Sequence, residues 1–105
     1  MLEKNAKIFV AGHRGLVGSA IWNNLLQRGY TNLTGRSHKE LDLLDGAAVK
    51  KFFDEEKPDA VVLAAAHVGG IMANLQYRAD FIYRNLQIQQ NVIGESFRHG
   101  VKKLL

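Results

Sequence analysis

Gly12, Gly15 and Gly18 fall at intervals of three in KIFVAGHRGLVG, the stretch from Lys7 to Gly18. They follow a short apolar run and open a segment with helical periodicity. A helix start offers free backbone N–H groups and the positive end of the helix dipole, a setting that favours a phosphate when no side chain obstructs it. Gly12 permits the tight turn out of a strand, Gly15 lets phosphates approach the main chain, and Gly18 lets the helix lie close on the sheet. With His13, Arg14, Leu16 and Val17 between them, the loop from Gly12 to Gly18 is a candidate cradle for a dinucleotide pyrophosphate. Glycines at such gaps also arise by chance; the position between a buried-type strand and an amphipathic helix gives this set its meaning.

The nucleotide is indicated by the sequence from Gly35, GRSHKE. An acid at the end of a second strand would bond the ribose diol of NAD, and none stands there. Arg36, Ser37 and His38 take that place, and Arg14 rises toward it from the glycine loop. A guanidinium fork suits a phosphate dianion, so the pair predicts NADP, selected through its 2′-phosphate.

These residues need elements to hold them. Ile8 to Ala11 reads as a strand, and Val17, Ile21 and Leu25 recur at helical spacing from Leu16 to Arg28, with Gly29 as the stop. Thr31 to Gly35 reads as a second strand and Leu41 to Leu43 as a third, very short one. Ala47, Val49, Phe52 and Phe53 follow a helical pattern ended by Pro58. DAVVLAAA, from Asp59 to Ala66, is apolar on both faces, as a parallel strand covered by helices must be. A long helix is predicted over residues 78–99, with Ala79, Ile82, Leu86, Ile93 and Phe97 along one face and Gly100 as its stop. Val101 opens a fifth strand.

Strands alternating with helices imply right-handed crossovers and a doubly wound parallel α/β sheet of Rossmann type. The last residue, Leu105, falls inside the fifth strand. Residues 1–105 are therefore expected to be the N-terminal part of an NADP-binding domain, truncated in that strand, with substrate domain and catalytic segment absent.

Composition narrows the alternatives. Of 105 residues 47% are hydrophobic and 23% charged, the balance of an ordinary globular domain. The formal net charge is +4, but the basic residues are scattered among acids and lack aromatic interleaving, so no nucleic-acid partner is expected. No apolar run has the length of a membrane span and no secretory signal is evident, so the expectation is a cytoplasmic protein without a membrane partner. There is no cysteine, and the four histidines match no ligand spacing, so no metal site is predicted.

With these residues read, the chain resembles the extended short-chain dehydrogenase/reductase group, and within it the GDP-L-fucose synthase family of GDP-4-keto-6-deoxy-mannose epimerase/reductases. The likeness rests on AGHRGLVGSAI (Ala11 to Ile21), ELDLLD (Glu40 to Asp45), LAAAHVGGIMAN (Leu63 to Asn74) and ADFIYRNLQIQQNVI (Ala79 to Ile93). It implies that Gly12 to Gly18 hold the pyrophosphate and that Arg14 meets the 2′-phosphate. It also implies that His38, Lys39, Glu40, Leu41, Asp42 and Leu43 run along the adenosine, and that Ala64, Ala65 and Ala66 lie beside the ribose. His67 becomes a candidate for contact with the nicotinamide end or the sugar nucleotide. The implied substrate is a GDP-linked 4-keto-6-deoxy sugar, and the long helix 78–99 would pair two subunits into a homodimer. The family's serine and its tyrosine–lysine pair lie downstream of the strand opened by Val101, so no catalytic residue is assigned. A non-catalytic NADP-binding module, or a sister reductase acting on another nucleotide sugar, are the alternative functions.

Overall fold

Alternation along the first strand sends side chains to two separate cores. Ile8 and Val10 are buried with Ala60 against Trp22, Leu25, Tyr30 and Leu33. Phe9 and Ala11 are buried on the opposite face with Val49, Phe52, Phe53, Val61 and Val92. This period of two with apolar residues on both sides is what a strand covered by helices requires.

The computed structural model describes residues 3–37, 39–64, 75–101 and 103–104. In chain order the elements are β1 (Ile8–Ala11), α1 (Leu16–Gln27), β2 (Leu33–Thr34), α2 (Gly46–Glu56), β3 (Ala60–Leu63), α3 (Leu75–Arg98) and β4 (Lys103–Leu104). Among the described residues all strand pairings are parallel, in the order β2-β1-β3-β4. Helix α1 covers the Ile8 face, while α2 and α3 cover the Phe9 face. The sheet is therefore doubly wound. Successive connections leave β1 to one side and then cross to β3 on the other, which creates a switch point between β1 and β3.

Local chemistry sets the ends. Helix α1 stops in a Schellman motif: Gly29 has φ +95°, its N–H donates to Leu26, and the Tyr30 N–H donates to Leu25. Gly100 repeats this arrangement after α3, with Val101 donating to Ser96. At the start of α2 the Asp45 carboxylate accepts from the N–H groups of Ala47 and Ala48 at 3.1 and 3.3 Å, a side-chain cap. Asp59 and Lys7 exchange bonds across the entry to β3 and β1, with the Lys7 N–H donating to Asp59 Oδ2 at 2.9 Å and the Asp59 N–H donating to the Lys7 carbonyl at 2.8 Å.

Two expectations are corrected. Leu41 to Leu43 form no strand; Asp42 instead turns the chain, its Oδ1 accepting from the Leu44 N–H at 3.0 Å and its carbonyl from the Asp45 N–H at 2.9 Å. The last described strand is therefore the fourth in the chain, not the fifth. Val17 is 62% exposed, because seating Gly18 against the loop turns the preceding position outward, about 100° round the helix.

His99 ties the end of α3 to α2. Its Nε2 lies 2.6 Å from Asp54 Oδ1 and its Nδ1 2.9 Å from the Glu95 carbonyl. Hydrogen bonding to Asp54, then to the Glu95 carbonyl, raises the His99 pKa above 6.5. The folded chain then holds a proton that the unfolded chain has released, so this stabilisation is complete below 6.5 and is lost as pH rises through the folded value. Subtracting the thermal-unfolding pH profile of H99Q from that of the unsubstituted chain should leave a difference that is largest on the acid side and shrinks with rising pH. A pH-independent difference would refute the pairing.

Candidate functional site

The C-terminal ends of β1 and β3 open onto a cleft of about 460 Å³ lined by Gly12, Gly15, Arg36, Leu41, Asp42, Leu43, Leu44, Ala64, Arg84 and Ile88. Gly12 turns the chain out of β1 at φ +84°, a conformation that disfavours a side chain. Its carbonyl accepts from the Gly15 N–H at 3.0 Å and closes the loop. Gly15 is the N-cap residue of α1 and supplies no side-chain cap; the first bond back to the cap comes from Ser19. The first-turn amides of Leu16, Val17 and Gly18 are thus the orphan donors of a helix start.

Gly18 is fixed by space. A Cβ there would stand 1.9 Å from the Gly12 carbonyl oxygen and 2.7 Å from its carbon. At Gly15 a Cβ would come no nearer than 3.4 Å to that oxygen. Gly18 is therefore the glycine that close packing requires, against the loop itself. Gly15 instead keeps the helix start clear of side-chain atoms.

A second hollow, about 490 Å³, adjoins the first through shared residues and is lined by Gly12, His13, Arg14, Gly15, Arg36, Ser37 and Lys39. It brings together the two arginines expected to share a phosphate and adds a lysine. Arg14 is exposed. Arg36 is anchored: Nη1 donates to the Gly35 carbonyl at 2.9 Å, Nη2 lies 3.5 Å from Glu56 Oε2, and the guanidinium sits 5.2 Å from the centre of the Phe52 ring. Burial, then the charge of Arg14, lowers the pKa of His13.

The loop after β2 shapes this hollow through a reciprocal cap. Glu40 Oε1 accepts from the Ser37 N–H at 2.8 Å, and Ser37 Oγ accepts from the Glu40 N–H at 3.3 Å. The hydrogen bonds from Ser37 hold the Glu40 pKa below its ordinary value. Glu40 borders neither hollow; its carboxylate fixes the turn. The Leu41–Leu44 segment is held from α3, where Asn91 Nδ2 donates to the Leu43 carbonyl at 2.8 Å.

The structure thus gathers Gly12, His13, Arg14, Gly15, Arg36, Lys39, Leu41, Asp42, Leu43 and Ala64 around the two hollows. Leu16 and Val17 lie exposed on the first turn beside them. His38, Ala65, Ala66 and His67 lie outside the described residues. Sequence reasoning missed Leu44, Arg84, Ile88 and the positioning residue Asn91. The spacing of Arg84 and Ile88, four apart on a long helix, places them on one face; only the packing shows that this face meets the cleft.

A parallel sheet whose switch-point crevice carries a glycine loop and an uncapped helix start defines a Rossmann-type dinucleotide-binding fold. The model of the NAD dependent epimerase/dehydratase family matches residues 8–105, and the chain belongs to that family. It is 63% identical over 105 residues to GDP-L-fucose synthase 1 of Arabidopsis thaliana, covering 100% of this chain and 32% of that protein. It is 54% identical over 99 residues to GDP-L-fucose synthase of Escherichia coli K12, covering 94% of this chain and 31% of that one. Among solved structures, the GDP-mannoheptose C4 reductase MlghC of Campylobacter jejuni, with NADP bound, matches with a TM-score of 0.91 at 51% identity, covering 99% of this chain and 33% of its own. The chain spans about a third of the length of these relatives.

The clash at Gly18 yields a prediction. Gly18→Ala should force α1 away from the loop and lower stability by about 1–3 kcal/mol, the usual range for overpacking, whereas Gly15→Ala should have a much smaller effect on folding. Urea unfolding of the two variants checks this, and equal losses would contradict the geometry.

Proposed function

We propose that this chain is the NADP-binding part of an epimerase/reductase that converts GDP-4-keto-6-deoxy-D-mannose to GDP-L-fucose. The observation that carries the reading is the union of an uncapped helix start, kept clear by Gly15, with Arg14, Arg36 and Lys39 around one hollow. The first-turn amides of α1 bind the pyrophosphate, and the cations take the 2′-phosphate of the adenosine. Ala64, which extends the β1–β3 ladder by donating to the Ala11 carbonyl at 2.9 Å, presents only a methyl group and leaves the crevice passable. When bound, NADPH supplies the hydride that reduces the sugar ketone. The residues described here orient the cofactor, and the acid/base groups for epimerisation belong to the remainder of the enzyme.

The substrate assignment is supported by the likeness to plant and bacterial GDP-L-fucose synthases over nearly all of this chain. A second reading, a reductase of another GDP-linked keto sugar, is favoured by the likeness to the heptose reductase. Assaying the complete protein on GDP-linked hexose and heptose 4-ketones distinguishes the two. We also propose a homodimer through the long helix: Tyr83, Leu86, Ile93 and Phe97 are exposed, and steps of three, seven and four residues align them as a helix–helix seam. A cytoplasmic setting belongs to this proposal, and among the described residues no helix is long and apolar enough to cross a membrane.

NADPH should bind this chain more tightly than NADH, and Arg14→Ala and Arg36→Ala should each weaken NADPH by about tenfold while changing NADH little. Fluorescence titration reads this, and equal affinity for the two cofactors in the unsubstituted chain would overturn the NADP assignment. Phe97→Glu should shift sedimentation of the complete protein toward monomer; an unchanged dimer would place the seam elsewhere.

A further inference from the structure

The His13 side chain occupies the space that a side chain at Gly35 would need. A Cβ built on Gly35 would lie 2.6 Å from both Cγ and Nδ1 of His13 and 2.8 Å from Cδ2, so the imidazole lies against the Gly35 backbone. The ring also packs near Trp22, with centroids 5.3 Å apart. Among the described residues its buried Nδ1 has no hydrogen-bond partner. Gly35 directly follows β2, the region where a dinucleotide-binding sheet would present an acid to a ribose diol.

From this interlock we infer that His13 is a specificity-determining residue: its ring excludes any side chain at position 35 and wedges the glycine loop against the end of β2, spacing Arg14 from Arg36. The inference rests on the NADP reading above and extends it to a residue that lines the same hollow as Arg14 and Arg36. Two consequences follow from the contacts. Removing the ring frees Gly35 and Arg14 to shift relative to each other, so the two guanidinium groups no longer converge on one phosphate. It also vacates the volume in which an acid at position 35 could reach a ribose diol. Burial and then the neighbouring Arg14 lower the pKa of the ring, which disfavours a further positive charge beside the arginines.

The test is the ratio of NADPH to NADH affinity, measured on the same chain so that a general loss of folding or of pyrophosphate binding cancels. His13→Ala should lower the preference for NADPH by about tenfold, chiefly through weaker NADPH binding. In that background Gly35→Asp should lower it further by tightening NADH, since the carboxylate now has room to meet the diol. Circular dichroism establishes that each variant is folded, and if the double variant does not fold, His13→Ala alone carries the test. A ratio unchanged within about twofold in His13→Ala, well below the loss of one charge-assisted bond, overturns the inference while the NADP reading stands. Failure of the unsubstituted chain to prefer NADPH overturns that reading instead.

Discussion

The Gly12 carbonyl is the point on which the site depends. It accepts the Gly15 N–H, closing the loop, and it faces Gly18 across a gap too narrow for a methyl group. One oxygen thereby fixes both the path of the loop and the distance of α1 from the end of β1. It also decides which amides a ligand can reach: Gly15 spends its donor inside the loop, so the binding capacity of the helix start rests with the turn beyond it. The exposure of Leu16 and Val17 has the same origin, because a helix that buries its third residue against the loop must direct its first two elsewhere.

Charge is arranged more loosely than backbone. Arg36 is half-buried and shares Glu56 with Lys7, whose Nζ lies 3.0 Å from Glu56 Oε1. Partly exposed pairs of this kind contribute roughly 0.2–1 kcal/mol, and charge-assisted hydrogen bonds, in which donor or acceptor is ionised, are about twice as strong as neutral ones. A phosphate dianion can therefore recruit the guanidinium without disrupting the fold. Glu56 and the Phe52 ring act as a rest position that keeps Arg36 beside the hollow. Arg14, by contrast, is exposed.

The sequence made the local parts legible. Glycine spacing, the apolar run before it and the two glycine stops depend on neighbours a few residues away, and the structure reproduces them at Gly12, Gly29 and Gly100. Leu41 to Leu43 misled because three residues of alternating polarity carry no information about a partner strand, while the Asp42 side chain offers the backbone a turn. The contribution of α3 was hidden for a different reason. That helix is apolar on more than one side: Ile88 and Val92 pack on the core, whereas Leu86, Ile93 and Phe97 are exposed. Periodicity finds such a helix without revealing which side turns toward the cleft, so Arg84 and Asn91 emerge only from the packing.

The two helix starts that follow β1 and β2 show how this sheet separates structure from function. Helix α2 is closed by Asp45, whose carboxylate satisfies two amides. Helix α1 begins at Gly15 and lacks that closure. Replacing a capping side chain by glycine costs only a few tenths of a kcal/mol, compared with about 0.5–2 kcal/mol for alanine, so the free chain tolerates the vacancy at Gly15. An anion bound there supplies the missing acceptor and meets the helix dipole at the same moment. Binding and folding are then linked, because whatever fills the cap stabilises the native chain in proportion to its occupancy. Under the proposed reading, the modest stability forgone at α1 is what leaves its first-turn amides open to a phosphate.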